Sequence, residues 1–294
     1  MNNYLIELGL NQWSSPPKTD SDISVLSGLE QGKVLFLPQL KFELSPNELA
    51  LLTPSIVDPK RKNISLKPLT GDINGVAESS KTEEVKQLIE RFYQSTQDLI
   101  RSLLPHYQNT LHSPTASLRL HPVSQWTKNA SWRKDDTRLH VDAFPSRPNH
   151  GERILRIFTN INPVGESRQW RVGEPFPSLA KRFLPTLAPY SPFKAKVMSM
   201  VGITKRYRSH YDHLMLQMHD RMKESADYQT TGEQVSVAFP SGSTWICFSD
   251  QTPHAAMSGQ YMLEQTYLLP VNAMANPQHS PLNVLQQLTQ KTLI

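Results

Sequence analysis

Beyond about residue 118 the chain breaks into short apolar or alternating runs divided by turn-forming residues, and this pattern leaves few folds open. Residues 153–162 (Arg-Ile-Leu-Arg-Ile-Phe-Thr-Asn-Ile-Asn) read as a strand stopped by Pro163. Residues 234–239 alternate in polarity and are turned by Pro240-Ser-Gly242. Residues 243–248 read as a further strand, and residues 260–269 as one more after a Ser-Gly turn. Short strands with turn residues between them predict an antiparallel jelly roll or barrel. Two helix-like stretches, residues 179–184 and 211–218, fall between them, so residues 175–230 are expected to form a helical insertion. Residues 283–293 are expected to form a C-terminal helix.

Before this region the signals are mixed. In residues 81–104, Val85, Leu88, Ile89, Phe92, Leu99, Ile100 and Leu103 recur at three- and four-residue steps until Pro105, which predicts a helix packed by one stripe. Residues 34–38 (Val-Leu-Phe-Leu-Pro) read as a short buried strand. Ser45 with Pro46 opens a short helix. Residues 11–22 and 59–74 are polar and read as a loop and a connector. The expected organisation is one domain over 1–294: support in 1–117, a core in 118–272 containing the insertion, and a terminal helix in 273–294.

Composition narrows the compartment. The 294 residues hold a single cysteine, Cys247, which excludes an internal disulfide framework and a cysteine-rich zinc site. No run approaches the ~20 apolar residues of a membrane span, and no signal peptide is evident, so a cytoplasmic location is expected. The net charge of +5 favours anionic partners.

The chemistry centres on Arg138-Leu-His140-Val-Asp142-Ala-Phe. On an extended strand, residues i and i+2 face the same side, so His140 and Asp142 can grip one metal together. His254, 112 positions after Asp142 and between two expected strands, supplies a third ligand. Two histidines and one carboxylate form a facial triad that leaves coordination positions for dioxygen and an organic chelator, the pattern of non-haem Fe(II) oxygenases. His150 and His213 are the competing histidines. No His-Glu-x-x-His pattern is present.

Residues 132–148 (Trp-Arg-Lys-Asp-Asp-Thr-Arg-Leu-His-Val-Asp-Ala-Phe-Pro-Ser-Arg-Pro), residues 153–163, and Leu263-Glu-Gln-Thr-Tyr267 resemble the Kdo hydroxylase family, most clearly over residues 124–270. Kdo is 3-deoxy-D-manno-oct-2-ulosonic acid, an acidic sugar of lipopolysaccharide. The resemblance implies an α+β fold with a mainly β core, a double-stranded β-helix (jelly roll) carrying supporting helices. It also implies an Fe(II)-, 2-oxoglutarate- and O2-dependent enzyme that hydroxylates Kdo at carbon 3 on a lipid A precursor. The expected site of action is the inner face of the bacterial inner membrane, with no nucleic acid partner. An oxygenase with another substrate, or a non-catalytic sugar- or lipid-binding jelly roll, are the alternatives.

Many related oxygenases place a cation ten residues after the distal histidine and a hydroxyl two further on. Here those positions are Glu264 and Thr266. Thr266 fits; Glu264 repels a carboxylate. The cation that anchors 2-oxoglutarate is therefore expected on another strand. Arg156 comes first, on one face with Phe158 and Asn160, and Arg153 second. A plain ion pair of Arg156 with Glu264 is the alternative. Arg133, Lys134, Arg138 and Arg147 flank the triad and are expected to meet an anionic substrate. The basic and apolar residues 193–208 suit either a lid or an anionic lipid surface.

Overall fold

The computed structural model describes residues 4–14, 22–126 and 131–294. The first part of the chain forms β1 (Leu5–Glu7), α1 (Asp22–Glu30), β2 (Val34–Leu37), α2 (Pro46–Leu49), β3 (Ile64–Lys67), β4 (Asp72–Asn74) and α3 (Thr82–Leu103). Then come β5 (His112–Arg119), β6 (Arg153–Asn160) and β7 (Arg168–Gly173). Four helices follow: α4 (Phe176–Phe183), α5 (Pro192–Met200), α6 (His210–Glu224) and α7 (Ala226–Thr231). The chain returns to sheet with β8 (Gln234–Phe239), β9 (Thr244–Phe248), β10 (His254–Ser258) and β11 (Met262–Leu269), and ends with α8 (Pro281–Thr289). The loop expected at 11–22 falls mostly on residues 15–21, outside the described residues.

Two sheets result. The larger has the order β1-β2-β9-β6-β11-β5-β3-β4 and is antiparallel except for the β1–β2 pair; the smaller is β10-β7-β8. Phe158, Trp245, Cys247 and Met262 from the large sheet pack against Trp170, Val172, Val237 and Phe239 from the small one. The rings of Phe239 and Trp245 stack with centroids 4.1 Å apart. The architecture is the expected jelly roll, as an open sandwich rather than a closed barrel.

The support expected in residues 1–117 includes four strands of the large sheet. β1 to β4 all hydrogen-bond into the large sheet, and residues 59–74, expected as a connector, contain β3 and β4. β3 and β4 are only four and three residues long, too short for their alternation to stand out from a polar stretch. α3 lies where expected. Its apolar stripe, Val85 to Leu103, is buried against β3, β5 and β11. Each such side chain contributes roughly 1.5–3 kcal/mol by leaving water. The buried contact of Thr96 Oγ1 with the Tyr267 hydroxyl, 2.8 Å, sets the helix against β11.

A second core lies between helices α4, α6 and α8 and the segment that precedes the triad carboxylate. Leu139 and Val141 are fully buried there, with Phe176, Leu179, Tyr211, Met215 and Met218. Because side chains alternate along extended backbone, burying Leu139 and Val141 under the helices turns His140 and Asp142 to the opposite side. Gly173 permits this closure: a Cβ there would lie 2.8 Å from Leu139 Cδ2 and 3.0 Å from Pro253.

Candidate metal centre and cavity

His140 and His254 are partners across an isolated antiparallel bridge. The His140 amide donates to the His254 carbonyl at 3.0 Å, and the His254 amide to the His140 carbonyl at 2.8 Å. The Asp142 amide donates to the Ser249 carbonyl at 2.8 Å. The His-x-Asp segment is thus a single bridge held at two points, not the continuous strand that its spacing suggested.

Ligand atoms of His140, Asp142 and His254 all lie within 4.8 Å of one another. His140 Nδ1 donates to the Arg138 carbonyl at 2.7 Å and His254 Nδ1 to the Thr252 carbonyl at 2.9 Å. Since a carbonyl only accepts, both rings carry their proton on Nδ1, and each Nε2 lone pair is free for a metal. Burial lowers the pKa of both histidines, which keeps them neutral. Burial opposes ionisation of Asp142, but the Arg156 guanidinium outweighs it and holds the carboxyl well below its usual range. Its Oδ2 is buried and accepts no hydrogen bond. Two neutral imidazoles and one underused carboxylate oxygen fit a divalent first-row metal. The Trp170 ring stacks on His254 at 5.1 Å, and the His219 ring meets His140 edge-on at 5.3 Å.

The triad opens on a cavity of about 200 Å³ between the sheets. Its basic residues are Lys62, Arg119, Arg156 and Arg168; its acids, besides Asp142, are Asp136 and Glu264. Arg156 lies 3.2 Å from Asp142 and 3.3 Å from Glu264, and Arg119 lies 2.9 Å from Glu264. Burial opposes ionisation of Glu264, but these two arginines lower its pKa. Arg168 differs. It is buried, its Nε has no hydrogen-bond partner, and among the described residues no carboxylate lies within ion-pair distance of it. Burial, and then Arg119 nearby, push its pKa down to about 10.

The remaining expected site residues lie elsewhere. Arg153 is fully buried on the other side of its strand, bound to Asp250 at 2.8 Å and Gln251 at 2.5 Å, with its guanidinium over the Phe248 ring. Asn160 sits at the strand end and donates to the carbonyls of Glu166 and Phe239. Thr266 points at Glu264, 3.4 Å away, and is not part of the cavity wall. Arg133 pairs with Asp220, Arg138 with the Lys223 carbonyl and Asp135, and Arg147 is exposed. Lys134 offers its carbonyl to Lys62. None of these four basic residues lines the cavity. His150 contacts the Tyr207 carbonyl and His213 the Ala188 carbonyl, so neither competes with His254.

A jelly roll with two histidines and a carboxylate converging at its open end defines the class of mononuclear non-haem metal oxygenases. The model of the 3-deoxy-D-manno-oct-2-ulosonic acid (Kdo) hydroxylase family matches residues 12–292, and the chain belongs to this family. The chain is similar to the crystal structure of the Kdo hydroxylase KdoO, a non-haem Fe(II) α-ketoglutarate-dependent dioxygenase, in complex with cobalt(II). That match has 43% identity and a TM-score of 0.95, over 99% of this chain and 97% of the other. The same enzyme with α-ketoglutarate and Fe(III) matches at 42% identity and a TM-score of 0.93, with the same coverage. Its complex with succinate and Fe(III) also matches at 42% and 0.93. No curated protein sequence matches the chain.

Proposed function

We propose that this protein uses Fe(II), 2-oxoglutarate and O2 to hydroxylate Kdo at carbon 3 on a lipid A precursor, at the cytoplasmic face of the inner membrane. The observation that carries the chemistry is the triad His140, Asp142 and His254, with both Nδ1 protons committed to carbonyls, inside a chain of the Kdo hydroxylase family. That membership sets aside an unrelated oxygenase substrate and a non-catalytic binder.

In this reading the three ligands hold iron. When bound, the iron with 2-oxoglutarate and O2 supplies the oxidant for an unactivated C–H bond, leaving succinate and carbon dioxide. Arg168 takes the distal carboxylate of 2-oxoglutarate, since Arg156 and Arg119 are already paired with carboxylates and, among the described residues, Arg168 has none at ion-pair distance. Arg156 holds Asp142 in place and adds positive charge beside the cosubstrate. The cavity accommodates a small dicarboxylate and the reacting edge of a sugar, so the lipid portion of the acceptor stays outside.

The protein must therefore reach a membrane surface, and no helix among the described residues is long and apolar enough to cross one. Residues 175–211 contain no Asp or Glu and seven Lys or Arg. Within them Phe193, Met200, Val201 and Ile203 are 59–79% exposed. A basic collar around exposed apolar side chains suits reversible docking on an anionic leaflet. This segment is tied to the triad loop: the Lys205 amide donates to the Ser146 carbonyl and Arg208 to the Pro145 carbonyl.

The test is iron-dependent release of succinate coupled to a gain of one oxygen on Kdo, read by mass spectrometry of lipid A precursor incubated with the protein. Succinate released at the same rate with and without the acceptor, and no mass gain, would overturn the assignment.

A further inference from the structure

Four cations face the cavity against three carboxylates. A divalent iron and a dianionic cosubstrate cancel, so one positive charge remains for the acceptor. Deep in the cavity Arg156 and Arg119 share Glu264, and Arg168 is committed to the cosubstrate in the reading above. At the rim the balance is different. Lys62 Nζ lies 3.2 Å from Asp136, but the same carboxylate is 3.5 Å from Nζ of Lys223, which is 2% exposed. Asp136 is thus shared between two lysines, and Lys223 is also held by the Arg133 carbonyl. Lys62 keeps about a third of its side chain in solvent, and one of its three N–H bonds is left after Asp136 and the Lys134 carbonyl.

We propose that Lys62 binds the carboxylate of the sugar acid and so orients the acceptor's reacting carbon toward the iron. The inference rests on the Kdo hydroxylase reading. It assigns substrate recognition to a residue from the strand-poor stretch before β3, distant in sequence from the triad. An ammonium at the mouth suits a ligand that arrives after iron and cosubstrate, because the inner cations are by then engaged. A carboxylate directly attached to the ring near the reacting carbon gives one ion pair strong control over which C–H is presented. Asp136 is the positioning residue: it holds the lysine stem against the rim and is itself fixed by Lys223.

The alternative, that Lys62 merely pins the loop carrying Lys134 and Asp136, is separable. Wild type, Lys62→Met and Lys62→Arg are assayed on a Kdo-bearing lipid A precursor and on the same precursor with the Kdo carboxylate converted to its methyl ester. The expected result is a KM for the acid raised about ten-fold in Lys62→Met, the lower end for a lost charge-assisted hydrogen bond given the partial exposure. Lys62→Arg should restore most of the loss. On the ester, wild type and Lys62→Met should agree, and the KM for 2-oxoglutarate and cobalt(II) binding should be the same in all three proteins. An unchanged KM for the acid, or an equal loss on acid and ester, overturns the proposal while leaving the proposed function standing. A wild-type protein that hydroxylates neither acceptor overturns both. A Lys62→Met protein that loses cobalt binding shows a structural pin and also overturns it.

Discussion

Arg156 and Asp142 lie 3.2 Å apart, at ion-pair distance but without the alignment of a hydrogen bond. The guanidinium therefore keeps the carboxylate ionised without occupying the lone pair that a metal needs. Because burial opposes the charge on Asp142 and Arg156 offsets it, the arginine would act on a metal through this proposed ligand.

Replacing Arg156 by Met should weaken cobalt(II) binding about 10- to 100-fold, the usual cost of losing such an outer contact. The KM for 2-oxoglutarate should rise as well. Metal titration followed by the visible cobalt spectrum measures the first effect. A changed KM with unchanged cobalt affinity would make Arg156 a simple cosubstrate anchor.

Arg168→Met should leave cobalt binding intact and raise the 2-oxoglutarate KM by about 10- to 100-fold, as expected for a bidentate charge-assisted contact of about 1.5–3 kcal/mol. Arg168→Lys, which loses the planar fork, should recover only part of this. An unchanged KM in both variants would remove Arg168 from the cosubstrate site.

Arg153→Ala should be a stability variant. Arg153 and Asp250 are both buried, so truncation strands a carboxylate, at a cost of about 3–5 kcal/mol. Denaturant unfolding should show that loss, while the 2-oxoglutarate KM of the folded fraction stays at the wild-type value. A stable variant with a raised KM would return Arg153 to the site.

The metal-free protein should lose stability on mild acidification. Burial lowers the folded-state pKa of His140 and His254 below the unfolded value of about 6.5. The unfolded chain then binds more protons, so their contribution is complete above about pH 6.5 and declines as pH falls toward the folded values. Thermal unfolding of the apoprotein at pH 7.5 and 5.5 should show the drop, and His254→Asn should reduce it. Equal pH dependence in the two proteins would refute this origin.

Changing Lys194, Lys196, Lys205 and Arg206 to Gln should abolish salt-sensitive sedimentation with anionic vesicles and lower activity on lipid-linked acceptor. Each basic residue contributes about 1 kcal/mol near such a surface. Arg208 is left in place because it holds the Pro145 carbonyl. Equal sedimentation of both proteins at low salt would reduce the segment to a lid.

What the sequence revealed depended on period and on distance. His140 and Asp142 were legible because Leu139 and Val141 between and beside them are apolar, so alternation assigns the two faces. His254 was legible as a polar residue between two strands. Arg168 was missed, although Arg168, Trp170 and Val172 alternate in β7 and could have signalled an inward face. Lys62 carried no signal, since it lies in a polar stretch beside strands of three or four residues. Arg133, Lys134 and Arg138 were chosen for proximity along the chain, and none of them lines the cavity; Arg133 and Arg138 pair with Asp220 and Asp135 instead. Nearness in sequence fixes where a backbone goes, not where a long side chain ends.

The bridge between His140 and His254 joins residues whose intervening chain builds two strands of each sheet and helices α4 to α7. Contacts of such high contact order form late in folding, because their loop-closure entropy is offset only after the rest has docked. The three proposed ligands are therefore expected to meet only once the sheets have closed. A chain that has not closed offers the local His140–Asp142 pair without the third proposed ligand, so it should hold iron far less tightly. Iron occupancy becomes a certificate that the sandwich has closed.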